Sequence, residues 1–116
     1  MTKFQIKRVY DDPNEADGYR VLVDRLWPRG MKKEDATLDE WNKDVAPSSE
    51  LRTWFGHKPE RFREFVSRYE KELTANPAVD EFRRRTKDKK IITLLYGAKD
   101  TESNQAVVLQ KFLASR

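Results

Sequence analysis

Apolar and polar positions alternate at the start of the chain. Phe4-Gln5-Ile6-Lys7-Arg8-Val9 places apolar side chains at 4, 6 and 9, the alternation of a half-buried strand. Turn chemistry follows in Asp11-Asp12-Pro13-Asn14. Tyr19 to Leu26 is then a near-continuous apolar run, interrupted at Arg20, Asp24 and Arg25, which predicts a central strand covered on both faces. Pro28 and Gly30 end it. A second buried-strand pattern, Ile91-Ile92-Thr93-Leu94-Leu95-Tyr96, stops at Gly97.

The stretch between these runs follows helical spacing. Pro47-Ser48-Ser49 starts a helix in which Ser48 or Ser49 caps the free amides, Glu50 suits the first turn, and Leu51, Trp54 and Phe55 form the apolar face. Gly56-His57-Lys58 breaks it. Pro59-Glu60 opens another helix, whose Phe62, Phe65, Val66, Tyr69 and Leu73 recur at three and four. Asn76-Pro77 repeats the start signal for a helix carrying Val79 and Phe82, and Asn104 caps a last one bearing Ala106, Val108, Leu109, Phe112 and Leu113. Residues 38–45 have two readings. Leu38, Trp41 and Val45 fit a helical stripe, and a short strand over about 40–45 fits nearly as well.

Strands separated by helices imply parallel pairing through crossover helices. The expected fold is a compact three-layer α/β/α sandwich, with a short, mainly parallel sheet of three or four strands and four to five helices, as one domain over residues 1–116. A chain of 116 residues buries roughly two-thirds of its unfolded surface, which suits one core. With 37% hydrophobic and 38% charged residues and a mean hydropathy of −0.94, that core is small and the surface ionic.

Charge narrows the partners. There are 24 Lys and Arg against 20 Asp and Glu, a net charge of +4 that suits a small anionic ligand or weak nucleic-acid contact, although mixed signs more often mean only a soluble surface. The absence of cysteine excludes disulfides, thiolate catalysis, Cys-ligated zinc and iron–sulfur clusters. With a single histidine no metal site is expected, and no cofactor is implied. The N-terminus lacks an apolar signal segment and no run reaches the roughly 18 apolar residues of a membrane span, so a soluble cytoplasmic protein with no membrane association is expected. Oligomeric state leaves no mark on these patterns.

Candidate chemistry gathers at strand ends, because in α/β sheets ligands bind where the strands finish and helices and loops diverge. The first run delivers Asp24, Arg25, Trp27 and Arg29; the second delivers Lys99 and Asp100. Arginine grips carboxylate or phosphate bidentately, with lysine as a supporting point charge. The alternative is structural: Asp24 paired with Arg25 or Lys99, and Trp27 and Pro28 packing the sheet end. Gly97 to Thr101 before a capped helix offers free amides to an anion but is not a P-loop. His57 is the candidate acid or base if Asp24 or Asp100 orients it, against the alternative of a loop histidine bonded to backbone. The run Arg83 to Lys90 reads either as a phosphate-touching patch or as cations favoured at a helix C-terminus.

Four motifs in order carry a resemblance: RVLVDRLWPRG at 20–30, W-x-K-x-x-A-P-S-x-x-L-R-x-W-F-x-H from Trp41 to His57, F-x-x-x-Y-x-x-E-L from Phe65 to Leu73, and LLYGAKD followed by N-x-A from Leu94 to Ala106. Together they make the chain similar to the YeaO-like proteins, a bacterial and archaeal domain family of unknown function (DUF-488). The resemblance implies a small α/β domain and no particular activity. It marks the polar motif positions Asp24, Arg25, Arg29, Lys43, Ser48, Arg52, His57, Lys99, Asp100 and Asn104 as site candidates. More distant relatives are expected to carry cysteine, histidine and arginine after the last strand. Here Gly97-Ala98-Lys99-Asp100 stands instead, so no chemistry carries over.

Three functions follow as expectations. The first is a module that binds a nucleotide or phosphometabolite at the strand ends, through Arg25, Arg29 and Lys99 with Trp27, Arg52, Asp100 and Asn104 around them. The second is a hydrolase or transferase on phosphoesters or nucleotides, with His57 and Asp24 as its catalytic pair. The third is a protein or nucleic-acid interaction domain that uses residues 83–90.

Overall fold

The computed structural model describes residues 2–115. Four strands, β1 (Lys3–Arg8), β2 (Tyr19–Leu22), β3 (Glu40–Trp41) and β4 (Ile91–Tyr96), form one sheet in the order β1-β4-β2-β3. Every pairing is parallel, with Lys3 opposite Ile91, Tyr19 opposite Ile92 and Val21 opposite Glu40. Five α-helices complete the fold: α1 (Lys33–Ala36), α2 (Ser49–Phe55), α3 (Phe62–Thr74), α4 (Pro77–Thr86) and α5 (Gln105–Ala114). This is the small parallel α/β architecture that the chain pattern predicts.

The helix starts follow from local chemistry. Ser48 Oγ accepts from the Leu51 amide at 3.1 Å, Asn76 Oδ1 from Ala78 at 3.0 Å and Asn104 Oδ1 from Val107 at 3.1 Å, each satisfying a donor that the first helical turn leaves free. Pro77 follows its cap at a position where the missing amide costs nothing. Ser48 is held in turn by Glu72, whose carboxylate accepts from its amide at 2.9 Å and its hydroxyl at 2.6 Å. The cap of α2 is thereby tied to α3.

The sheet divides the core into two faces. Val21, Ile92, Leu94 and Tyr96 point to the face covered by α2 to α5, where Phe65, Tyr69 and Leu73 of α3 and Phe82 of α4 are all buried. Each such side chain contributes roughly 1.5–3 kcal/mol by leaving water. Phe55 stacks on Phe65 with ring centroids 4.3 Å apart, which locks the end of α2 onto α3. On the opposite face Leu22 and Leu95 meet Val9 and Ala36, with Trp27, Met31, Leu38 and Trp41 packed around them. The third layer is therefore thin. It consists of the one-turn helix α1, the connection over residues 9–18 with its 3-10 turn Glu15–Asp17, and the loop after β2.

A buried guanidinium organises that thin layer. Arg20, only 4% exposed, donates to Asp17, to the Thr37 carbonyl at 2.9 Å and to the Ala36 carbonyl at 2.8 Å. Asp17 also receives Lys7 at 3.1 Å, and its carbonyl accepts from Thr93 at 2.6 Å. Every arm of the buried charge is matched, the condition under which such a group is tolerated.

Two expectations change in detail. The strand read over Tyr19 to Leu26 ends at Leu22, because the chain leaves the sheet after Val23 donates to Leu95 O at 3.0 Å; Leu26 is exposed. Residues 38–45 resolve into both kinds of structure, the short strand β3 and then a 3-10 turn over Lys43–Val45.

Gly18 allows the chain to enter β2. Its φ of 63° with ψ of −130° is a glycine conformation, and an added Cβ would lie 2.4 Å from the Ile91 carbonyl oxygen. Gly18→Ala is expected to cost about 2 kcal/mol or more of unfolding free energy in a urea titration; an unchanged midpoint would contradict this account of the crossover.

Candidate functional site

The carboxyl ends of β1, β2 and β4, the last turn of α2 and the start of α5 surround a cleft of about 270 Å³. Asp24, Trp27, Arg29, Arg52 and His57 all line it, so five of the residues singled out in the sequence converge there. Its other walls are Tyr10, Leu26, Pro28, Pro47, Phe55, Phe65, Gly97, Ala98 and Gln105.

Asp24 forms the polar base of the cleft. One carboxylate oxygen accepts from the Gly97 amide at 2.8 Å and the other from the side-chain amide of Gln105. The approach is close: a Cβ at position 97 would sit 3.2 Å from Asp24 Oδ2, so a larger residue there would press on the carboxylate. Asp24 pairs with neither Arg25 nor Lys99. Its carboxyl is pushed up to about 6, first because burial disfavours the charged form, an effect that the Gly97 and Gln105 hydrogen bonds and the nearby Arg52 charge offset only in part.

The arginines at this end of the sheet divide into two kinds. Arg25 donates to Pro47 O at 2.9 Å and Ala46 O at 3.4 Å, joining the segment after β2 to the start of α2. Arg8 donates to Ala98 O at 2.9 Å and Gly97 O at 3.2 Å while lying over the Tyr10 ring at 4.9 Å. The guanidinium groups of Arg29 and Arg52, by contrast, make no hydrogen bond or ion pair among the described residues, and both border the cleft. Arginine with an uncommitted fork over a concave, largely apolar surface is suited to carboxylate or phosphate.

His57 stands at the rim in a left-handed backbone conformation, φ 57°, directly after Gly56, φ 54°. Histidine is among the few side chains that occupy this region with any frequency. Its ring is tilted against Phe55 at 6.3 Å and makes no hydrogen bond with Asp24 or Asp100 among the described residues.

Lys99, Asp100 and Asn104 lie outside the cleft. Asp100 Oδ1 accepts from the Glu102 and Ser103 amides at 2.9 Å each, hydrogen bonds that hold its carboxyl below the usual range, led by Ser103. Asn104 caps α5 and donates to Asp100 O at 2.8 Å. The loop after β4 thus spends part of its anion-binding capacity on itself. Lys99 is exposed. In the basic run, Arg83 donates to Phe112 O at 3.0 Å and Leu113 O at 3.2 Å, and Arg85 grips Glu40 bidentately at 2.7 and 2.9 Å. Those two arginines serve packing and an ion pair. No group of three or more His, Cys, Asp or Glu among the described residues is placed to hold a metal ion.

The cleft residues not singled out as site candidates in the sequence include Tyr10, Leu26 and Gln105. Tyr10 follows the end of β1 and Gln105 opens the helix after β4, so the strand-end argument applied to β1 and to α5 would have found both.

The family model described as the inactive DUF488-N3 subclade matches residues 3–116. The chain belongs to this family. It is 46% identical over 111 residues to the uncharacterized protein YeaO of Escherichia coli K12, with 96% of each chain covered. It is also 44% identical over 115 residues to the uncharacterized protein Rv3073c of Mycobacterium tuberculosis H37Rv, covering 99% of this chain and 97% of the relative. No solved structure matches it. The resemblance carried by the four motifs is therefore one of family membership over nearly the whole chain.

The raised carboxyl of Asp24 has a measurable sign. The native state holds this proton more tightly than the unfolded chain, so its contribution to stability is complete below pH 4, is lost as pH rises to about 6, and is level above that. The change is bounded at about 3 kcal/mol. Asp24→Asn, which keeps one acceptor, is expected to gain stability relative to the unsubstituted protein as pH rises from 4 to 6 in paired urea titrations; parallel curves would contradict a desolvated carboxyl here.

Proposed function

We propose that this protein is a binding domain for a small anionic ligand, a nucleotide or phosphometabolite, held in the cleft at the carboxyl ends of the strands. The observation that carries the reading is the pair of uncommitted guanidinium groups, Arg29 and Arg52, on a cleft whose other walls are mostly aromatic and aliphatic, with Asp24, Gln105 and His57 as its remaining polar groups. They replace Arg25 and Lys99 as the anion-holding residues, since Arg25 is tied to backbone carbonyls and Lys99 lies outside the cleft. His57 adds a ring donor at the rim. Asp24 orients Gly97 and Gln105 at the base.

Binding is favoured over turnover. A general-base histidine is commonly oriented by a hydrogen-bonded carboxylate, and His57 has none among the described residues. The word inactive in the description of the matched subclade agrees with that preference. The interaction-domain reading draws less support, because Arg83 and Arg85 are engaged within the fold.

The test is a thermal-shift series with nucleotides, phosphosugars and inorganic phosphate. A ligand at a hundredfold excess over its Kd stabilises the native state by about 2.7 kcal/mol, a shift of several degrees. The shift is expected to disappear in Arg52→Ala and to survive in His57→Ala. Arg25→Ala is expected to lower the ligand-free melting temperature, at a cost of about 1–3 kcal/mol, while keeping the ligand shift. A shift abolished by Arg25→Ala and untouched by Arg52→Ala would reverse the assignment.

A further inference from the structure

The walls of the cleft say more about the ligand than its charge. Among the described residues, the large apolar side chains classed as exposed are Tyr10, at 40%, and Leu26, at 59%, and both border this one cleft. Scattered exposed apolar residues carry no meaning, but two that line the same concave site mark a surface suited to a ligand.

The aromatic walls are held in place through their polar ends. Trp27 donates its indole N–H to Met31 O at 2.7 Å and rests edge-on against Trp41 with centroids 5.3 Å apart. Tyr10 donates its hydroxyl to Arg29 O at 2.7 Å, with Arg8 against its ring. With these donors committed to the protein, what Trp27 and Tyr10 offer a ligand is ring surface in a fixed orientation. Such preorganised surface suits a rigid planar group, which loses little freedom on binding.

Size sets a second limit. At about 270 Å³ the cleft lies just below the range typical of drug-sized ligands, so it suits one ring system and one acidic group rather than a dinucleotide. Asp24 adds a third feature. Each of its oxygens accepts one hydrogen bond from the protein and has a further lone pair to receive an N–H or O–H of the ligand.

We propose that the ligand is a small aromatic acid: a planar ring seated between Tyr10, Leu26 and Trp27, bearing one carboxylate or phosphate that Arg29 and Arg52 hold. The proposal rests on the anion-site reading above and adds the ring.

The experiment titrates the full chain with matched probes and follows the indole N–H resonances by NMR. Phenyl phosphate and benzoate carry both features, inorganic phosphate and acetate only the acid, and benzamide only the ring. Phenyl phosphate is expected to bind about tenfold or more tightly than inorganic phosphate, and benzoate likewise relative to acetate, the gain from burying one ring. Which of the two aromatic acids binds more tightly identifies the acid group. Leu26→Ser, at an exposed position, is expected to erase most of the ring advantage while leaving phosphate binding unchanged. Arg52→Ala is expected to weaken both classes. Equal binding of phenyl phosphate and phosphate, both lost in Arg52→Ala, would overturn the aromatic acid and leave the anion site standing. Benzamide binding as well as benzoate, with no effect of Arg52→Ala, would overturn both, as would the absence of binding by every probe at millimolar concentration.

Discussion

Strand β4 constrains everything around it. Its residues pair with a parallel neighbour on each side, β1 over its full length and β2 over four positions, and all but the first are buried. A strand used on both edges and both faces leaves no room for water, so each surface must be covered by something apolar. The helices α2 to α5 supply one cover and the thin layer around Leu22, Ala36 and Leu95 the other. Where β4 stops, at Gly97, its next amide has no strand partner, and Asp24 meets it.

That meeting places a carboxylate where burial opposes its charge, and the protein accepts the cost without an ion pair. Two hydrogen bonds and the nearby Arg52 charge soften the desolvation but do not cancel it. The contrast with Asp17 is instructive. It is also buried, but direct partners in Lys7 and Arg20 and a backbone hydrogen bond from Asn14 outweigh desolvation and hold its carboxyl below the usual range. One acid serves as a structural knot under the sheet. The other lies open to a cleft with unpaired cations above it, the arrangement expected of a site rather than a scaffold.

The same division runs through the arginines. Arg8, Arg20, Arg25 and Arg83 all donate to backbone carbonyls in loops or at element ends. Arginine is well suited to this because its planar fork serves two acceptors at once. These four arginines stitch the fold internally. Arg29 and Arg52, which border the cleft, make no such contact among the described residues.

What the sequence determined by itself was local. The caps Ser48, Asn76 and Asn104, the proline starts, the aromatic stripe of α3 and the alternation of β1 arise between residues a few positions apart, and all were legible. Strand-end logic pointed to Asp24, Trp27 and Arg29 but equally to Arg25, Lys99 and Asp100, which lie outside the cleft; Arg52 was marked only by the family resemblance and His57 as the lone histidine. Only the tertiary structure decided which of the candidates are free. Asp24 finds Gly97 across 73 positions and Gln105 across 81, and Arg25 finds Pro47 across 22. It also shortened β2, since a strand extends only while a neighbour accepts its hydrogen bonds, and it pushed the Asp24 carboxyl upward, since desolvation depends on every element packed around a group.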